Sequence, residues 1–257
     1  MDLPRGNHTI LKGDCREMLS VLPADSVQLV ITSPPYNTGW HYSDDGSGDR
    51  LPLNEYLALL ASAFKGCHRV LHTGGILALN LPPTTRQHQI RAYPVGAWAA
   101  WHLYQTGWLM REPIVWIKSK HELMPIAPGT AIGHPSNPYL RATHEYVILA
   151  SKGSYTIPGK SEWPDVPSYL DWCKDTWAIN PKPGRLGLPL SFPEELVSRL
   201  VLLFSEPGDI VLDPFAGLGT TGRVASLYGR VAWLIEKNPA YWERLEAAIG
   251  QGVMSFT

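Results

Sequence analysis

The chain has 257 residues, of which 44% are hydrophobic and 18% charged, with a formal net charge of −1. That length is ample for a buried core and that composition is ordinary for a globular protein. The near-zero charge excludes a chain-wide basic field that would attract nucleic acid, although a local basic face remains open.

The N-terminus, MDLPRGNHTI, has no signal-peptide pattern, and no apolar run reaches the length of a membrane span. Cys15, Cys67 and Cys173 lie far apart, with no CxxC and no Cys/His zinc spacing. Free thiols in a reducing compartment, a cytoplasmic location and no metal site are the expectations.

Along the chain, Gly13 and Asp14 precede a short apolar helix in KGDCREML (12–19). Asp14 reads at least as readily as an N-cap as it does as a ligand group. VQLVI (27–31) is a short buried strand, followed by T-S-P-P-Y-N (32–37). Beyond a polar loop at 43–50, Leu57, Leu60, Ala61, Phe64, Cys67 and Leu71 make a helical stripe that Gly74 and Gly75 stop. ILALN (76–80) is a strand, a helix is expected around 94–106, and PIVWI (113–117) is another strand. Residues 118–142 are rich in Pro, Gly and basic side chains without a period, as in a functional or disordered loop. EYVILA (145–150) returns to strand, and 151–190 is Pro-rich and aromatic, with Trp163, Trp172 and Trp177.

The C-terminal quarter is regular. Ser191 and Glu194 spell a capping box with Pro193 in the first turn, and Leu196, Val197, Leu200, Val201 and Phe204 supply an apolar face. DIVLD (209–213) is a strand, GTTGRVASLYG opens a helix ending at Gly229, and VAWLIE (231–236) is a strand. Asn238 caps a last helix with Pro239 at its first position. Alternating strands and helices predict an α/β fold: one domain, 1–257, with a Rossmann-like, mainly parallel sheet and helices on both faces.

Two stretches carry chemistry. Gly217, Gly219 and Gly222 match G-x-G-x-x-G between a strand and a helix, and Glu236 lies 19 residues after Gly217 at the end of the next strand. That is the layout of a nucleoside-binding βαβ unit, with the acid on ribose hydroxyls. Asp213, just before the glycines, would repel a pyrophosphate and suits an ammonium or sulfonium group, which favours S-adenosylmethionine over NAD. The second stretch is the Pro-Pro turn. If its strand neighbours 209–213, Ser33 and Pro34 face the cofactor loop. Pro34 then offers a fixed carbonyl, Ser33 a hydroxyl, Pro35 rigidity, and Tyr36 a flat face for an unpaired base. Two acceptors on an exocyclic amine would draw its nitrogen toward tetrahedral geometry, aiming the lone pair at a methyl donor. A base in a duplex must be flipped out to reach such a site.

With these residues in view, T-S-P-P-Y-N resembles the catalytic motif of amino-methylating DNA methyltransferases. D-P-F-A-G-L-G-T-T (213–221) resembles their S-adenosylmethionine motif. Catalytic motif first and cofactor motif last resembles the beta group. The likeness implies cofactor contacts from Asp14, Cys15, Ser33, Phe192, Pro193, Asp213, Pro214, Phe215, Gly217, Gly219, Thr220, Thr221 and Glu236. It implies double-stranded DNA as substrate and places target recognition in 84–105 and 119–172. Arg86, Arg91, Lys118, Lys120 and Arg141, with His88, His121 and Lys152, are candidates there, phosphate contacts giving register and affinity. Leu218 and Leu188 depart from the family pattern of Ser and His. An S-P-P-Y form points to N4 of cytosine, with N6 of adenine the alternative. A homodimer and a separately acting restriction endonuclease are compatible partners. An NAD-dependent oxidoreductase, a protein-glutamine or RNA amine methyltransferase, and a non-catalytic DNA-binding module are the competing readings. The first leaves T-S-P-P-Y-N unexplained. The second would place the cofactor loop first. The third predicts that Ser33→Ala changes nothing.

Overall fold

A computed structural model describes residues 8–39, 50–87, 91–118, 133–134, 136–138, 142–160, 164, 167, 169–181, 193–249 and 254–256. In chain order the elements are β1 (Thr9–Lys12), α1 (Cys15–Val21), β2 (Val27–Thr32), α2 (Leu53–Val70), β3 (Leu71–Leu81), β4 (Thr85–Gln87), β5 (Arg91–Tyr93) and α3 (Val95–Gln105). Then come β6 (Leu109–Met110), β7 (Ile114–Ile117), β8 (Gly133–His134), β9 (Asn137–Pro138), β10 (His144–Ser151), α4 (Tyr169–Trp172) and β11 (Thr176–Ala178). The chain continues with α5 (Glu194–Phe204), β12 (Ile210–Asp213), α6 (Thr220–Leu227), β13 (Val231–Glu236), a 3-10 turn (Pro239–Tyr241), α7 (Trp242–Ile249) and β14 (Met254–Phe256).

Among the described residues one sheet runs in the order β11-β7-β10-β3-β2-β12-β13-β1-β14, with β6 added beside β10. The block from β3 to β14 is parallel. β10 runs antiparallel to both β3 and β7. Strand residues alternate between two cores, because successive side chains leave a strand on opposite faces. Val30, Leu77, Leu79, Leu212 and Trp233 pack with α1, α2 and α3, whereas Leu29, Ile31, Ile76, Val211 and Leu234 pack with α5, α6 and α7. The α/β architecture with helices on both faces is therefore as expected, with a mixed rather than wholly parallel sheet.

Three local expectations need correction. The second helix stops at Val70, and Gly74 and Gly75 lie inside β3, because β3 already pairs with β2 at Leu71. The capping box is out of register. The Pro193 carbonyl accepts from Leu196 and Val197 N–H, which makes Pro193 the N-cap and Glu194 the first helical residue, with its carboxylate on Arg223. Ser191 lies outside the described residues. The aromatic stretch after 151 contributes an unexpected strand, β11, whose Trp177 is fully buried. Asn238 caps the last turn as expected, accepting from Ala240 N–H at 3.0 Å. Among the described residues, no helix is long and apolar enough to cross a membrane, and no group of three or more His, Cys, Asp or Glu is arranged to hold a metal.

Candidate active site

The chain leaves β2 toward β3 on one side of the sheet, while β12, β13 and β1 lie on the other. β2 and β12 are therefore neighbours at the point where strand order reverses, which in open α/β sheets is where ligands gather beyond the carboxyl ends. The Pro-Pro turn and the glycine loop leave these two adjacent ends. Thr32 Oγ1 donates to Asp213 Oδ1 at 2.8 Å and joins the two motifs directly.

Asp213 is 2% exposed and acts as the hub of this junction. It also accepts from Thr221 Oγ1 at 2.7 Å and from Phe215 N–H at 3.1 Å. Burial pushes its pKa up to about 6, against the pull of those hydrogen bonds. Both of its oxygens are thus engaged inside the protein.

The loop that follows needs its glycines for different reasons. Gly219, the N-cap of α6, has φ 77°, a left-handed conformation open to glycine at no steric cost. Gly222 sits where an added Cβ would lie 2.5 Å from Leu234 Cδ1, so it permits close contact of helix and sheet. At Gly217 a Cβ would meet nothing within 4 Å, so the loop borders open space. Glu236 stands beside it. Its Oε2 accepts from Gly217 N–H and its Oε1 from Asn238 N–H, each at 2.7 Å, and burial raises its pKa.

Asp14 reaches the same end of the sheet, because Gly13 N–H donates to the Glu236 carbonyl at 3.0 Å. It caps α1 by accepting from Arg16 N–H, and the Arg16 guanidinium, paired with it at 2.7 Å, brings its pKa down to about 2. The Cys15 thiol lies in the core, with its pKa pushed up to about 12 by burial, so only its backbone can face a ligand.

The other half of the site is a polar network that the sequence did not announce. Ser33 Oγ donates to Tyr36 Oη at 3.0 Å, and Tyr36 Oη donates to Glu145 Oε2 at 2.9 Å. Asn80 Nδ2 donates to both Tyr36 Oη, at 2.8 Å, and Glu145 Oε2, at 2.6 Å. Lys118 Nζ is ion-paired with Glu145 Oε1 and lies over the Trp116 ring. Asn80 is the last residue but one of β3, and Glu145 arrives because β10 is antiparallel: its first residues return to the carboxyl ends of β2 and β3. Thr85 Oγ1 donates to the Tyr36 carbonyl. Asn37 adopts φ 57° and clamps residue 51 through two hydrogen bonds, of 2.9 and 2.8 Å. Tyr36 is thus held by its hydroxyl, whereas sequence reasoning considered only its ring face.

Of the remaining candidates, Pro34 and Pro193 are buried, while Pro35 is half-buried in the turn. Pro214 and Phe215 lie in the glycine loop, and Thr220 is the first residue of α6. Arg86 and Arg91 occupy the backbone of the β4–β5 hairpin just after β3. Phe192, His88, Lys120, His121, Trp163 and Arg141 fall outside the described residues. Lys118 has a different engagement from the expected phosphate contact, since its ammonium already meets Glu145. Lys152 is at the wrong end: it follows the last residue of β10 and pairs with Asp25, where β2 begins.

The acids beside an open glycine loop would repel a pyrophosphate and accommodate a nucleoside that carries positive charge. Those residues fit S-adenosyl-L-methionine. The model of a family described as DNA methylase, of the N6/N4 class, matches residues 27–247. The chain is 31% identical over 253 residues to the Type II methyltransferase M.BglII of Bacillus subtilis, covering 90% of this chain and 66% of that one. It is 29% identical over 267 residues to the Type II methyltransferase M.Cfr9I of Citrobacter freundii, covering 91% and 84%. TTHA0409 of Thermus thermophilus, solved in complex with S-adenosyl-L-methionine, superposes with a TM-score of 0.71 at 26% identity, covering 97% of this chain and all of that one. The cytosine-N4-specific PvuII DNA methyltransferase shares the fold, with a TM-score of 0.72 at 20% identity, covering 95% and 86%. S-adenosyl-L-methionine is the cofactor, which sets aside the oxidoreductase reading, and the chain belongs to the N6/N4 DNA methylase family.

Proposed function

We propose that this protein methylates N4 of a cytosine flipped out of double-stranded DNA. One observation carries the reading most: the Thr32–Asp213 hydrogen bond fixes the Ser33–Pro34 turn beside the glycine loop. When bound, S-adenosyl-L-methionine supplies an activated methyl on a sulfonium. Glu236, Asp14, the Gly217–Gly219 backbone, Pro214, Phe215, Thr220 and Thr221 would hold it, and Asp213 braces the glycine loop. Cys15, Phe192 and Pro193 complete the set by resemblance. Ser33 Oγ and the Pro34 carbonyl accept the two N–H hydrogens of the target amine, turning its lone pair toward the methyl. Pro35 stiffens the turn, and Tyr36 lines it.

Ser33 favours cytosine N4 because its motif has the S-P-P-Y form. Arg86 and Arg91, on a hairpin tied to Tyr36 through Thr85, are candidates for DNA contact at the mouth of the site. Lys120 and Arg141, in the part of segment 119–172 that precedes β10, are assigned to target recognition on the resemblance alone.

The test is incubation with mixed-sequence duplex DNA and S-adenosyl-L-methionine, digestion to nucleosides and mass spectrometry. N4-methylcytosine is expected. N6-methyladenine instead would overturn the choice of base, and neither product from a protein that binds the cofactor would overturn the function.

A further inference from the structure

Glu145 lies outside both sequence motifs, yet it is 4% exposed at the end of a chain of hydrogen bonds that starts at Ser33. Donor and acceptor chemistry fixes the direction of that chain. The Asn80 Nδ2 amide nitrogen can only donate, and an ion-paired carboxylate can only accept. Asn80 gives hydrogens to Tyr36 and Glu145, so the Tyr36 hydroxyl, flanked by that donor and that acceptor, must send its own hydrogen to Glu145. The Tyr36 oxygen then receives from Ser33, and the Ser33 hydrogen points inward. Asn80 Oδ1 is left buried without a partner among the described residues, the consequence of turning its nitrogen toward two acceptors.

We propose that Glu145 is a positioning residue for methyl transfer: acting through Tyr36, it turns the Ser33 hydroxyl so that only oxygen lone pairs face the substrate amine. This rests on the reading of Ser33 as an acceptor for that amine. A Ser33 hydroxyl turned outward would oppose its hydrogen to an N–H of the amine and hold the base in the wrong geometry. Lys118 sets which end of residue 145 faces inward, because its ammonium requires an acceptor at Oε1.

Glu145→Gln has one acceptor for three claimants, Lys118 on one side and Tyr36 with Asn80 on the other. The Lys118 charge takes it, the amide nitrogen faces Tyr36, and the chain reverses. Adding Lys118→Met frees the glutamine oxygen to turn back to Tyr36. The experiment measures single-turnover methylation of mixed-sequence duplex DNA, with cofactor affinity by calorimetry and urea stability alongside. For Glu145→Gln the rate is expected to fall by about 100-fold, the size of effect seen when one preorganised polar contact at a reacting centre is lost. Cofactor affinity stays within about twofold, and Lys118→Met in the same chain restores at least about tenfold. A merely structural role for Glu145 would make the second substitution additive, not restorative. A Glu145→Gln rate within about threefold of wild type, or a double variant no faster than the single, overturns the proposal. Should Glu145→Gln fail to fold, Tyr36→Phe carries the test. It cuts the chain with Glu145 in place and is expected to lower the rate at least about tenfold at unchanged cofactor affinity, and no loss refutes the proposal. A wild-type protein that methylates neither base overturns the reading of Ser33 and this proposal together, whereas an active wild type with indifferent variants overturns this proposal alone.

Discussion

Replacing Asp213 by Asn should flatten one component of the protein's pH dependence. The carboxyl is fully enclosed, and burial holds its pKa near 6 rather than in the ordinary range just below 4. The folded chain therefore binds this proton more tightly than the unfolded chain. Below the ordinary range both states are protonated and the group is neutral in its effect. As pH rises the unfolded carboxyl ionises first, and stability falls until the folded one has ionised too. The full penalty is about 3 kcal/mol above roughly pH 7, and about 2 kcal/mol of it develops between about pH 4.5 and pH 8. Asparagine keeps an acceptor for Thr32 and Phe215, and the Thr221 hydroxyl can rotate to accept from the new amide. The assay is urea unfolding of both proteins at the two pH values, taking the difference of differences so that other titrating groups cancel. The variant should gain about 2 kcal/mol on wild type over that interval. Profiles that run parallel within about 0.5 kcal/mol would refute the claim that Asp213 is ionised against its environment.

Gly222→Ala drives a methyl to 2.5 Å from Leu234 Cδ1 in a filled core and should lower stability by about 1–3 kcal/mol in urea unfolding, with Leu234→Val in the same chain recovering part of it. Glu236→Gln leaves Gly217 or Asn238 N–H without its acceptor, so calorimetry should show S-adenosyl-L-methionine bound about tenfold more weakly, a loss on the scale of one charge-assisted hydrogen bond. By contrast, Arg223→Ala removes an exposed ion pair with Glu194, and its unfolding free energy should stay within about 0.5 kcal/mol of wild type.

The motif half of the site was legible because it is local. Strand, turn residue and acid recur at fixed spacing in 213–236, and the Pro-Pro turn marks a strand end with its own chemistry. The network half was not. Glu145 sits in EYVILA, an ordinary apolar strand, and period-two patterning says nothing about strand direction. Only the antiparallel placement of β10 brings Glu145 to Tyr36 and carries Lys152 away. Lys118 likewise read as loop charge, since its partner lies 27 residues on in sequence. Asp14 was ambiguous for a real reason: it caps α1 and also stands at the end of the sheet that carries Glu236, a position compatible with either reading.

The Thr32–Asp213 contact joins residues 181 positions apart. At ordinary rates of chain synthesis, about 5–20 residues per second, β12 follows β2 by about 10–40 seconds. Through that interval β2 can pair with β3 on one side only, and its other edge is an apolar strand without a neighbour. The junction of the two motifs therefore matures late, and a chain truncated before residue 209 would carry a complete Ser-Pro-Pro-Tyr turn on an open sheet edge, prone to pair with other chains.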